Sequence, residues 1–208
     1  TNNVFPSTVD GTSTGVAAGL VARGAVPLGA ISSASKRVSL HIDDPAIDSA
    51  VEECALVEAA LIETSFVGAR AVSDPTTIRW VIACIADPAS TGLASIAGRI
   101  HPVDRRDDGG VLIRLGPGGR RVRVPLTPGT FVTLDVASVE PVDASSAVEL
   151  PGGGVLAYDG ERAAPVSPNA TITASIDRSG PRLIDVGATL ARAAADHLFD
   201  PGKDTHGD

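Results

Sequence analysis

Three stretches of this 208-residue sequence carry residue types that do chemistry. The first is Asp87-Pro88-Ala89-Ser90-Thr91-Gly92-Leu93-Ala94-Ser95-Ile96-Ala97-Gly98, behind an apolar run and ahead of small residues that suit a helix. Free backbone N–H groups at such a helix start, with the hydroxyls of Ser90, Thr91 and Ser95, would fit phosphate or ribose oxygens. The same residues also serve as ordinary caps, and on spacing alone capping is the better account. The second stretch is Leu156-Ala157-Tyr158-Asp159-Gly160-Glu161. Asp-Gly after a strand-like run is first a tight turn, though Asp159 could also accept hydrogen bonds from ligand hydroxyls. The third is the arginine set Arg105, Arg106, Arg114, Arg120, Arg121 and Arg123. Guanidinium groups suit bidentate phosphate contacts. Asp104, Asp107 and Asp108 sit among them, so a solvated charged face is the better reading. His41, His101, His197 and His206 fall in no metal-ligand spacing, and no metal site is expected. Neither a Walker A loop nor G-x-S-x-G occurs.

Short strands must position these residues. Aromatics are 3% of the chain, so its core is aliphatic; with 22 Gly and 15 Pro it turns often. A helix is expected over 8–23, with Gly11, Gly15 and Gly19 along one face where another backbone or a ligand comes close. Lys36 to Ile42 alternates as a strand, with Val38, Leu40 and Ile42 on one side. Glu53 to Ile62 and Ile78 to Ala86 read as central strands, with a loop or short turn at 66–70 between them. Ser90 to Ile100 reads as a short helix. Val111 to Leu115 and Arg120 to Val124 read as a hairpin around Gly116-Pro117-Gly118-Gly119. Strands follow at 130–136, 137–142, 154–158 and 170–176, and a last helix over 186–198 is capped by Asp185, with Val186, Leu190, Ala194 and Leu198 on one face. This spacing predicts an α+β, predominantly β fold, a sandwich-like core with a helix near each end.

A net charge of −8 argues against a generally basic nucleic-acid binder, and no apolar run is long enough to span a membrane. Neither nucleic acid nor membrane is expected as a partner. Cys54 and Cys84 lie in apolar runs and imply no disulfide framework, so a cytoplasmic location is the default. The opening Thr1-Asn2-Asn3, with no Met anywhere, reads as the start of a piece of a longer chain.

Read in order, an Asn-containing start, the Pro-Ala-Ser-Thr-Gly loop at 88–92, the Asp-Gly turn at 159–160 and the closing Gly-Pro-Arg-Leu-Ile-Asp-Val at 180–186 resemble the ATP-NAD kinase superfamily, in its AcoX-type branch associated with acetoin catabolism. The resemblance runs from Thr1 to about Phe199. It implies a β-rich nucleotide-binding domain over 1–182, a C-terminal helix over 183–199 packing back on an absent N-terminal α/β domain, and a flexible tail over 200–208. Asn2 and Asn3 match the branch's Gly-Thr-Asn-Asn segment. Glu58 matches an acidic residue that follows an Asn in the kinases; Val57 stands in place of that Asn. The loop from Asp87 through Ser90, Thr91, Gly92 and Ser95 matches a Thr/Ser/Gly-rich segment, and Asp159 a late Asp-Gly.

The resemblance implies NAD or NADP and ATP as ligands, with Mg2+ as a candidate metal, and phosphoryl transfer to a hydroxyl of NAD or a related acceptor. The activating Asp would lie upstream, because no Gly-Gly-Asp-Gly occurs here. No catalytic residue is therefore assigned within the chain, which alone should bind rather than catalyse. Expected partners are a small-molecule nucleotide, the missing N-terminal domain and further copies in a homo-oligomer. Two rival readings stand beside this: a non-catalytic nucleotide-binding accessory protein of acetoin catabolism, and, last, a hydrolase with Thr1 as N-terminal nucleophile.

Overall fold

The computed structural model describes residues 10–64, 72 and 74–200. The chain divides into two compact units. One is Lys36–Gly180; the described part of the other is residues 10–35 and 181–200. The smaller unit holds α1 (Gly11–Ala22), α2 (Leu28–Ile31), β1 (Ser32–Ala34), β12 (Arg182–Ile184) and α4 (Val186–Ala195). The larger holds β2 (Arg37–Asp43), β3 (Val51–Ala55), β4 (Glu58–Ile62), β5 (Ile78–Ala83), α3 (Ala94–Ile100), β6 (Gly110–Thr127), β7 (Thr130–Val142), β8 (Ala147–Pro151), β9 (Gly154–Tyr158), β10 (Arg162–Val166) and β11 (Thr171–Asp177).

The expected α+β, mainly β architecture is what the larger unit adopts. Its strands make two antiparallel sheets, β3-β2-β11-β8 and β10-β9-β4-β5-β6-β7. Alternation builds the interface between them. Val38, Leu40 and Ile42 of β2 and Ile172, Ala174 and Ile176 of β11 face Leu61, Trp80, Ile82, Leu112 and Leu156 of the larger sheet. That sheet's other face carries Ala60, Val81, Ala83, Val111 and Ile113, covered by Ile96 and Ala97 of α3 and by Val124, Leu126, Leu134 and Val136 of the β6–β7 hairpin. Strand β4 is buried on both faces at all five positions, which is why its run of apolar residues is unbroken after Glu58.

Several expected boundaries move. The run from Glu53 to Ile62 is two strands in two sheets, with Leu56 and Val57 carrying the chain across. Apolar residues continue through the change of sheet and leave no mark of it in the pattern. The hairpin expected around 116–119 is not a hairpin. Leu115 and Arg120 both pair with Val136, so Gly116-Pro117-Gly118-Gly119 form a bulge inside β6. A Cβ on Gly119 would lie 2.1 Å from the Val136 carbonyl oxygen, so the bulge presses directly on β7. The turn falls instead at Pro128-Gly129, where Gly129 has φ +77°, and the two strands expected over 130–142 are one. Strand β5 ends at Ala83 and α3 begins only at Ala94. The turn expected at 66–70 lies outside the described residues.

In the smaller unit, α1 starts later than expected, because the Asp10 carboxylate accepts from the Thr12 and Ser13 N–H groups. Among the described residues, nothing comes within 4 Å of a Cβ built on Gly11, Gly15 or Gly19, so no other part of the described chain packs closely on this face. Leu20, Val26 and Ile31 pack with Ala193 and Leu190 of α4. Asp185 caps α4 as expected, and Leu190 and Leu198 of the expected face pack on this core, though the fully buried positions, Thr189 and Ala193, lie one residue earlier than Leu190 and Ala194. The expected boundary after residue 182 is also shifted: β1 pairs with β12, which draws residues 10–35 out of the β-rich unit and joins them to the C-terminal helix. No helix among the described residues is long and apolar enough to cross a membrane.

Candidate functional site

Where β5 ends, Cys84, Ile85 and Ala86 lead out of the sheet, and Ala86 exchanges two backbone hydrogen bonds with Val103 at 2.9 and 3.1 Å. Around that bridge opens a cleft of about 300 Å³. One wall carries Val57, Asp87, Pro88 and Ser90; the other carries Pro102, Val103, Asp104 and Arg105.

The first wall is held by small groups and short bonds. The Asp87 carboxylate accepts from the Ala89 N–H at 2.8 Å, and the Ser90 N–H donates to the Asp87 carbonyl at 3.0 Å. Gly98 of α3 lies against this turn: a Cβ there would be 2.2 Å from the Asp87 carbonyl oxygen. Gly92, at φ +80°, donates its N–H to the Pro125 carbonyl of β6. The fully buried Ser95 hydroxyl donates to the Gly92 carbonyl at 2.6 Å. Gly92 and Ser95 therefore tie the loop to β6, while Asp87 and Ser90 reach the cleft. Thr91 is half-buried between them.

Glu58 and Asp159 stand behind this wall. Leu93, at the N-cap of α3, supplies no side-chain cap, and the Ala94 N–H lies near the Glu58 carboxyl. Glu58 is 1% exposed and its Oε2 has no partner. Burial, and then the nearby Asp159 carboxylate, push its pKa from 4.5 to about 8, so it is held protonated at neutral pH. Asp159 and Gly160, both at positive φ, form the turn between β9 and β10. The turn reading of this pair is correct, and the side chain adds to it. The Asp159 carboxylate accepts from the N–H groups of Val57 (2.8 Å), Leu56 (2.9 Å) and Glu58 (3.3 Å). Leu56 and Val57 change sheets, so Asp159 satisfies a crossover whose N–H groups have left both ladders.

The second wall is gripped by two cations that sequence reasoning missed. Lys36 opens the larger unit and is 2% exposed. Its ammonium donates to the carbonyls of Asp107 (2.7 Å), Gly109 (2.9 Å) and Asp104 (3.0 Å). Burial lowers its pKa. Arg178, just past β11, donates to the carbonyls of Arg106 (2.7 Å), Asp107 (3.1 Å) and Arg105 (3.3 Å), and pairs with Asp108 at 2.9 Å. A lysine beside an alternating strand carries no sequence signal of its own. Cys84 is buried, its thiol pushed up to about 12, chiefly by burial.

The remaining candidates lie elsewhere. Arg114 pairs with Glu140, Arg121 with Asp135, and Arg123 lies over the Phe131 ring, which makes the charged face that was expected. Arg105 leaves that set for the cleft. Asn2, Asn3 and Thr1 lie outside the described residues. Among the described residues no three His, Cys, Asp or Glu side chains cluster to hold a metal.

Residues 37–179 match the acetoin catabolism protein X C-terminal domain, and the chain belongs to that family. The resemblance to the AcoX branch drawn from the motifs therefore holds. Acetoin catabolism protein X of Cupriavidus necator (strain H16) is 34% identical over 203 residues, covering 96% of this chain and 56% of that protein. The chain thus spans little more than half the length of this curated relative. Yeast NADH kinase, solved in complex with NADH, is 12% identical over 85% of this chain and 51% of its own, at a TM-score of 0.45, too distant a likeness to bear on function.

Proposed function

We propose that this chain is the C-terminal, nucleotide-binding portion of an AcoX-type protein, serving in the complete protein a phosphoryl transfer from ATP to a hydroxyl of NAD or a related acceptor. The observation that carries the reading is the composition of the cleft. Val57, Ile85 and Val103 give it apolar walls, while Asp87, Ser90, Asp104 and Arg105 rim it with polar groups. Apolar walls with a few polar groups suit a base and its ribose. Carboxylates and a hydroxyl accept from ribose hydroxyls, and a guanidinium meets a phosphate. A bound ATP would supply the transferred phosphoryl group; the residues named here would bind and orient it. The reading includes a cytoplasmic location, homo-oligomeric assembly and contact of α4 with the rest of the longer protein.

One observation favours the accessory-protein reading beside it. The Asp159 carboxylate is engaged by the crossover, and the Glu58 carboxyl beside it is buried and held protonated. Titration calorimetry of the 208-residue chain with NAD, NADP and ATP tests both readings. Binding of at least one nucleotide is expected, weakened about three- to tenfold by Ser90→Ala, the loss of one neutral hydrogen bond. Binding accompanied by no phosphorylation in the complete protein favours the accessory reading. No binding of any of the three overturns the nucleotide site.

A further inference from the structure

Five of the six backbone carbonyls between Asp104 and Gly109 accept hydrogen bonds from Lys36 or Arg178. Cations drawing the carbonyls to one side fix the backbone torsions of this loop, and with them the side chains that line the cleft. Among the described residues lining it, Arg105 is the only cation. Burying an ammonium is unfavourable unless each of its donors is met. All three donors of Lys36 are met, and each acceptor belongs to this one loop. An apolar side chain would fill the same interior without that cost, but could not orient the carbonyls.

We propose that Lys36, supported by Arg178, is a positioning residue of the cleft: it sets the 104–109 backbone and thereby holds Arg105 where the anionic part of a nucleotide binds. The inference rests on the cleft being the nucleotide site.

The test is Lys36→Ala in the 208-residue chain, read by ATP titration and by amide hydrogen exchange over 104–109. Propylammonium, which replaces the deleted atoms, is then added as a rescue. Faster exchange in the loop is expected, with ATP binding weakened about tenfold and both recovered by propylammonium but not by sodium at the same ionic strength. Arg105→Ala should weaken ATP binding to a similar extent, and the double variant little further, because both act through one contact. If Lys36→Ala fails to fold, Arg178→Ala at its 41% exposed side chain is the second variant, with exchange and affinity expected to change together. Looser exchange with wild-type ATP affinity would overturn the positioning role and leave the cleft reading standing. A wild-type chain that binds no nucleotide would overturn that reading and this one with it, while the exchange data still report whether the clamp exists.

Discussion

The two walls of the cleft face each other across a few residues, yet they are secured by opposite means. The wall from Asp87 to Gly98 is fastened by smallness and backed by a carboxyl without charge: Gly98 lets α3 touch the Asp87 carbonyl, and protonated Glu58 is buried near the start of the helix. The wall from Asp104 to Gly109 is fastened by full charges whose donors are satisfied by backbone carbonyls. The first arrangement leaves a buried oxygen unpartnered, Oε2 of Glu58; the second meets every donor of its buried ammonium. The helical wall should therefore respond to volume and to pH, and the loop wall to the loss of a specific cation.

The comparison breaks most visibly at Gly98. A methyl group there meets backbone atoms at 2.2, 2.5 and 3.0 Å, which have no rotamer to yield. Gly98→Ala should cost about 3 kcal/mol in urea denaturation, with hydrogen exchange rising through 87–100 and not through 104–109. Equal exchange in both walls would mean they move as one body.

Glu58→Gln sharpens the contrast by sign. A carboxyl whose native pKa lies near 8 keeps its proton between pH 4.5 and 8, where the unfolded chain has released it. Stability from this group is thus present at low pH and lost as pH rises through that window. The variant should flatten the fall and be clearly the more stable form at pH 8, with parity near pH 4. A wild-type stability that is level from pH 5 to 8 would contradict a protonated Glu58.

Asp108→Asn should do least. Its carboxylate is 76% exposed and pairs only with the Arg178 side chain, so the change in stability should stay within about 0.5 kcal/mol. A larger loss would show that the loop is held through side-chain ion pairs rather than through its carbonyls.

What the sequence revealed of this design follows from what its patterns can encode. Alternation in Val38, Leu40 and Ile42 located β2 and its buried face because period two is a local property. The Asp159-Gly160 turn was legible for the same reason: both residues hold the positive φ that their types favour. The sheet change at Leu56–Val57 was not, since apolar residues serve both sheets and the partner that closes it, Asp159, is about 100 residues away. Gly116 to Gly119 misled because glycines that relieve a bulge look like glycines that make a turn. Asp87 and Ser90, singled out by their types, line the cleft. Gly92 and Ser95 proved to be fasteners to β6, and Lys36 was invisible because its acceptors are backbone carbonyls about 70 residues downstream.

The pairing of β1 with β12 has a consequence for the order in which the chain can fold as it is made. Ser32 meets Ile184, so α1 and β1 must wait for about 150 residues to emerge before their partner exists. At about 5–20 residues per second that is on the order of ten to thirty seconds on the ribosome. Helix α1, twelve residues long with Gly11, Gly15 and Gly19 among them, is too short and too glycine-rich to persist alone for that time. Residues 36–180 can close first, leaving residues 10–35 exposed on the nascent chain until β12 and α4 have emerged.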